Sequence, residues 1–271
     1  MADLTPITRD ETFMDGAANG SPEGLPRPIT RDEIFMADAA GMDLESMGIA
    51  VPTPITRKEQ FEHALKGSGG GSDEVVKAIV EGTTGDLVIP DGITKIRERC
   101  FYYGTMKSVT IPDSVTDIGS YAFTHCEQLE SVNIPPNVSI LKSNLFNFCS
   151  SLSSLEIPDN ITKIEASALS RTGLESVTIP NSVTEIATNA FGYCSSLKTA
   201  VVGNGIETLP NYTFSNCTAL ETVTIGSGVT SIGSYCFDSC RALTTITINK
   251  AQGSISGAPW GATNATVTWT G

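Results

Sequence analysis

The stretch IPDSVTDIGSYAFTHCEQLESVNI, residues 111–134, decides how this chain folds. Counted from Ile111, Val115, Ile118, Ala122, Phe123, Cys126, Leu129, Val132 and Ile134 stand at offsets 4, 7, 11, 12, 15, 18, 21 and 23. The same offsets recur from Ile134, Ile179, Val202 and Ile225, so that Phe123, Phe146, Phe191, Phe214 and Phe237 occupy one equivalent position. Units from Ile89 and Ile157 are one residue shorter and lack the Cys at offset 15. Seven units therefore run from Ile89 to Ile248. A period of this length is the mark of a solenoid: one unit cannot bury its apolar side alone, and stacking places like residues on like residues. Within a unit, Ser131-Val132-Asn133-Ile134 alternates outward and inward, as a strand in a parallel sheet does. Val115-Thr116-Asp117-Ile118 is a second short extended piece. Ala122, Phe123 and Cys126 have the spacing of a single helical or 3₁₀ turn, and Pro-Asp, Pro-Asn and Gly-Ser pairs mark the corner after the strand. At about 4.8 Å per coil, seven coils predict a sheet roughly 35 Å long.

Composition agrees with a β-rich repeat and narrows the partners. Hydrophobic residues are 40% of the 271-residue chain, while charged residues are only 17%. A net charge of −13 and a pI near 4.5 argue against nucleic acid or an anionic membrane as partner. No run of 18 apolar residues exists, so no transmembrane helix is expected. The opening MADLTP has neither a basic n-region nor an apolar h-region, which predicts synthesis in a cytoplasm without a secretory signal.

The pattern IPDSVTDIGSYAFTHCEQLESVNIP closely resembles the BspA-like leucine-rich repeats of bacterial surface and protist proteins, over about residues 87–250. The resemblance implies a β-rich, right-handed leucine-rich-repeat solenoid of parallel sheet and short helical turns. It also implies binding of proteins, matrix or glycans rather than enzyme activity. Residues 73–88 read as a capping helix and first strand, with Ser72-Asp73-Glu74 at the N-cap. Residues 89–248 are the solenoid, and 249–271 are a closing cap whose Val267 and Trp269 belong to a last strand.

A second repeat occupies residues 1–66: TPITRDETF from Thr5, RPITRDEIF from Arg27 and TPITRKEQF from Thr53. In each, Thr8/Glu11, Thr30/Glu33 or Thr56/Glu59 forms a capping box that predicts a short helix. Three such helices, each marginal alone, offer Ile7/Phe13, Ile29/Phe35 and Ile55/Phe61 as docking pairs, and GSGGGS at 67–72 is a flexible linker. A disordered tail with nascent helices is the plainer expectation for this segment. The PITR segments resemble N-terminal regions of tail- or virion-associated proteins of gut Firmicutes phages. That resemblance implies attachment to a virion, with localisation on the particle, and a possible homo-oligomer. A bacterial cell-surface adhesin and an intracellular scaffold are the alternatives.

Little in the sequence suggests reaction chemistry. Cys126, Cys149, Cys194, Cys217 and Cys240 share offset 15 and Cys100 and Cys236 share offset 11, a ladder expected to be buried thiols before disulfides or a metal site. His63 and His125 are the two histidines, and His125 beside Cys126 points away from it on a turn. No catalytic, metal or cofactor-binding residue is therefore expected, and no cofactor. Recognition surfaces are better marked. Tyr103, His125, Phe148, Arg171 and Tyr193 share offset 14 in five successive coils and form a candidate ligand or partner stripe, or else half-pack between coils. Tyr121, Tyr212 and Tyr235 form a sparser set at offset 10. Outward strand residues such as Ser108, Ser131, Ser154, Ser176, Thr199, Thr222 and Thr245 make a flat hydroxyl face, a further candidate surface or else one that β-propensity and solubility explain.

Overall fold

The computed structural model describes residues 85–89 and 91–271. The three PITR helices, the capping helix, the linker and the docking residues Ile7, Phe13, Ile29, Phe35, Ile55 and Phe61 lie outside the described residues. What is described is a parallel β-solenoid. Its strands in chain order are β1 (Asp86–Val88), β2 (Lys95–Ile96), β3 (Ser108–Thr110), β4 (Asp117–Ile118), β5 (Ser131–Val132), β6 (Ile140–Leu141) and β7 (Lys163–Ile164). There follow β8 (Ser176–Ile179), β9 (Glu185–Ile186), β10 (Thr199–Val202), β11 (Thr208–Leu209), β12 (Thr222–Ile225), β13 (Ser231–Ile232), β14 (Thr245–Ile248) and β15 (Thr266–Trp269).

The longer strands form the main face, in register from coil to coil: Thr199 lies beside Thr222, Thr222 beside Thr245, and Thr245 beside Thr266. The last pairing closes the stack, since β15 adds an eighth coil after the seven read from the repeat. The core follows the offsets. Phe123, Phe146, Phe191, Phe214 and Phe237 are fully buried, with Phe101 only slightly less so. Their rings stack between adjacent coils at 5.1–5.9 Å and nearly parallel. The C-terminal end is sealed by Trp260, which is buried and donates from Nε1 to the Ser256 carbonyl at 2.7 Å.

Two expectations need correction. The main sheet does not run the full length of the stack. It parts into β1-β3-β5 and β8-β10-β12-β14-β15, and residues 154–157 join neither piece. Asn133 marks the start of the parting: its side-chain amide accepts from the Ile111 N–H at 2.7 Å and donates to the Ile111 carbonyl at 2.7 Å. A side chain thus takes the ladder bonds that a neighbouring backbone would take. Beside it Val132, Ile134 and Leu155 are half-buried, whereas their equivalents Val109, Ile111 and Val177 are buried. Second, no helix occurs among the described residues. The segment around Phe123 consists of overlapping turns, with Ala122 N–H donating to Gly119, Thr124 to Tyr121 and Cys126 to Phe123 at 3.2–3.3 Å. Each bond is of the 3₁₀ type, but Tyr121 and His125 are left-handed, each with φ of 60°, and a helix cannot propagate through them.

Candidate functional site

The turn edge is where this backbone and the sequence pattern combine. Left-handed residues recur at offset 10 in six coils (Arg99, Tyr121, Asn144, Ser167, Asn189, Tyr212). They recur at offset 14 in seven (Tyr103, His125, Phe148, Arg171, Tyr193, Asn216, Ser239). Asn accepts this conformation readily and bulky side chains do not. The conformation persists because the backbone is held across coils. Tyr121, Phe123 and His125 donate their N–H groups to Ser143, Leu145 and Asn147 of the next coil at 2.8–3.0 Å. The equivalent bonds recur at every coil junction as far as Phe237 N–H to the Trp260 carbonyl.

With the backbone so held, offset-14 side chains of successive coils lie one above another. The structure brings all five residues of the stripe into one column. Tyr103 stacks on His125 with centroids 4.6 Å apart, and His125 stacks on Phe148 at 4.2 Å. The Arg171 guanidinium then sits between two rings, 4.6 Å from the centre of Phe148 and 4.2 Å from that of Tyr193. Each interior member has both faces covered, as half-packing between coils requires. Tyr193 remains 43% exposed and Tyr103 60%. The offset-10 set is also partly stacked: Arg99 lies over Tyr121 at 5.1 Å, and Tyr212 stacks on Tyr235 at 5.5 Å.

Sequence reasoning missed Tyr102, at offset 13, which is exposed and meets Tyr103 edge-on at 4.5 Å. Its position is normally a small or polar buried residue, as in Thr124, Ser170 and Ser215, so a Tyr there was itself the signal. With Tyr102 included, all six tyrosines of the chain stand on this one edge.

The cysteine ladder lies just inside it. All seven cysteines are unbridged and buried. Those at offset 15 donate S–H to the backbone carbonyl at offset 12 of the preceding coil: Cys126 to Phe101, Cys149 to Phe123, Cys194 to Leu169 and Cys217 to Phe191, each at 3.1 Å, and Cys240 to Phe214 at 3.0 Å. In the coil from Ile157, one of the two without this Cys, the Thr172 hydroxyl donates within its own turn to Leu169 at 2.9 Å and meets the Cys194 sulfur at 3.2 Å. Burial pushes the thiols of Cys149, Cys217 and Cys236 well up, and that of Cys240 up to about 12. In these four, burial disfavours the thiolate that would act as a nucleophile, and the side chains fill space and hold the turn.

Charges pair between coils. Lys95 and Lys142 both bind Asp117, Lys95 at 2.9 Å, and Lys163–Glu185 and Lys198–Glu175 each measure 2.9 Å. Burial pushes the Asp117 carboxyl up, but the two ammonium groups outweigh it and hold the carboxyl below its usual range. Among the described residues, no cluster of three His, Cys, Asp or Glu side chains is placed to hold a metal ion. No helix there is long and apolar enough to cross a membrane.

This fold and edge define a leucine-rich-repeat solenoid with an aromatic turn column. The model of the BspA type leucine rich repeat region matches residues 83–198 and 187–259. The chain belongs to that family. Among solved structures, it is similar to a leucine-rich repeat protein of Bacteroides ovatus, at 27% identity and a TM-score of 0.58 over 64% of this chain. It spans about half of that protein's solved chain, 50%. It is also similar to the leucine-rich repeat protein of T. pallidum, at 27% identity and a TM-score of 0.51, covering 59% of this chain and 79% of that one. None of the curated proteins matches it.

Proposed function

We propose that the solenoid is a non-catalytic recognition module for a protein or glycan on a host surface, carried on a phage virion through residues 1–66. The observation that supports recognition is the continuous column from Tyr103 to Tyr193, on an edge that holds every tyrosine of the chain. A left-handed non-glycine residue costs about 1–3 kcal/mol, and a ring stack contributes about 0.5–1.5 kcal/mol. Stability alone therefore gives little reason to keep aromatic side chains where Asn fits better. An amphipathic, pre-stacked surface that loses little entropy on contact gives a stronger reason.

Virion attachment rests on the three PITR segments and their likeness to phage tail- or virion-associated proteins, with Ile7/Phe13, Ile29/Phe35 and Ile55/Phe61 as the docking pairs. Family membership favours a second reading, a bacterial BspA-like cell-surface adhesin. Mass spectrometry of purified phage particles separates the two. The chain is expected in the particles; its absence there, with recovery from the cell wall of uninduced cells, overturns virion attachment in favour of the adhesin.

A further inference from the structure

Among the described residues the aromatic column ends in one ring at each end, and the two ends differ. Stacking at 4.2–4.6 Å covers both faces of His125, Phe148 and Arg171, so these groups offer a ligand only their edges. At the N-terminal end, Tyr103 is flanked by Tyr102 edge-on at 4.5 Å. At the other end, Tyr193 has Arg171 on one side, while the next two coils carry Asn216 and Ser239 at the equivalent position. Both are far shorter than Tyr, so the outer part of the Tyr193 ring stands beyond its neighbour with one face uncovered, and the residue is 43% exposed.

The residues around that face are hydrogen-bonding ones. Asn216 is held left-handed, with φ of 58°, by its N–H bond to the Asp238 carbonyl at 2.7 Å. Its side-chain amide makes no hydrogen bond among the described residues, which leaves donors and an acceptor for a ligand. The Ser239 hydroxyl donates to Asp238 Oδ2 at 3.1 Å, which leaves the hydroxyl oxygen and the second carboxylate oxygen open as acceptors. In the same two coils, at offset 10, Tyr212 and Tyr235 stack on each other at 5.5 Å and are 41% and 51% exposed. The tyrosine column thus changes from offset 14 to offset 10 where Tyr193 ends. The stretch left without rings spans two coils, about 10 Å at the usual inter-strand spacing.

We infer that the step beyond Tyr193 is a carbohydrate subsite, which takes a neutral di- or trisaccharide with the C–H face of one sugar ring on Tyr193 and its hydroxyls on Asn216, Ser239 and Asp238. The inference rests on the proposal that the turn edge is the recognition surface. A single open aromatic face beside a side-chain amide and a carboxylate with one oxygen open suits a flat ring that is apolar on its faces and polar at its rim. A proline-rich peptide docks in a groove between parted aromatic side chains; here the rings of the column are stacked on one another. An anionic glycan meets the Asp238 carboxylate, while the Arg171 guanidinium is enclosed between Phe148 and Tyr193.

The test is a glycan array of neutral hexose and N-acetylhexosamine oligosaccharides, with sialylated and sulfated counterparts, probed with the full chain and followed by titration of the best neutral hit. Tyr193→Ala is expected to weaken that binding about tenfold and Asn216→Ala severalfold. Tyr193→Trp is expected to retain it and Thr208→Ala, at an exposed position of β11 away from the turn edge, to leave it unchanged, all with unaltered circular dichroism. Equal loss on Thr208→Ala, a preference for the sialylated or sulfated glycans, or no array binding at all each overturns the subsite. If the array is blank while the chain still binds whole bacterial cells and loses that binding on Tyr103→Ala, the recognition proposal stands and only the carbohydrate subsite fails. If neither array nor cells are bound, both fail.

Discussion

The turn edge and the strand face are built from the same repeat, yet they hold the stack in different ways. The strand face has regular in-register pairing from β8 to β15, but it is interrupted at residues 154–157, where Asn133 has taken over the bonds of Ile111. The turn edge has no regular strand and many residues in a disfavoured backbone region, yet its cross-coil N–H bonds continue through every junction. Continuity of this solenoid therefore resides in the turns. The strand face tolerates a gap because the turn bonds behind it continue there, from Phe146 N–H to Ala168 and from Leu169 N–H to Ala190, over a buried Phe146 and Leu169. The surfaces differ accordingly: a Ser/Thr array that β-propensity accounts for, and an aromatic column that it does not.

The strongest way to break the comparison is to remove a rung beneath the turn edge. Phe214 is fully buried between Phe191 at 5.4 Å and Phe237 at 5.9 Å. Phe214→Ala is expected to lower stability by about 3–5 kcal/mol in chemical denaturation. Thr224→Ala, on the strand face of the same coil, is expected to change it by less than about 0.5 kcal/mol. Comparable losses would mean that the two sides share the work equally. One step smaller is the thiol bond. Cys217→Ala leaves the Phe191 carbonyl without its S–H donor and opens a small void, for an expected loss of about 1–2 kcal/mol. If Cys217→Ala proves neutral, the thiols are fillers and the backbone bonds alone hold the turn.

How much of this was legible follows from what each feature depends on. The coil period, the buried Phe column and the Cys ladder were readable because like stacks on like, so position in the repeat fixes position in space. The closing strand was readable from Val267 and Trp269 for the same reason. The offset-14 stripe was readable as a list of residues, but not as a sandwich of Arg171 between Phe148 and Tyr193, which depends on side-chain direction. The turn was legible as a single helical or 3₁₀ turn from Ala122, Phe123 and Cys126, and its bonds are of the 3₁₀ type, but the left-handed residues that stop it becoming a helix were not read. The contrary signal was Asn at 144, 189 and 216, in positions that hold Tyr, Arg or His elsewhere. Asn133 opening the sheet had no periodic signature, since it is one substitution acting through one amide.

A charge test probes how far the corner opposite the turns contributes. Asp117 joins three coils through Lys95 and Lys142, and those ammonium groups hold its carboxyl below the ordinary value of about 3.9. A lowered folded-state value means that the stabilisation is fully present above about pH 4 and fades as the pH falls through the folded value. Asp117→Asn is expected to cost about 0.5–1 kcal/mol at pH 7 and to flatten that part of the acid limb, as read by denaturation at pH 7, 4 and 3. An unchanged acid limb would locate the acid sensitivity elsewhere.

The smallest expected change decides what the aromatic column is for. Tyr193→Asn places at a left-handed position, with φ of 62°, the residue already found at Asn216 with φ of 58°. The substitution gives up one contact with Arg171, worth about 0.5–1 kcal/mol at an exposed site. It also relieves backbone strain of similar size. The two effects oppose each other, so the midpoint of denaturation is expected to shift by less than the equivalent of about 0.5 kcal/mol. A loss above about 1.5 kcal/mol would make the column a structural device, like the Phe stack behind it. A neutral result, with binding lost on the same variant, separates the two sides fully: the phenylalanines hold the coils together, and the tyrosine at the end of the column is retained for what it meets.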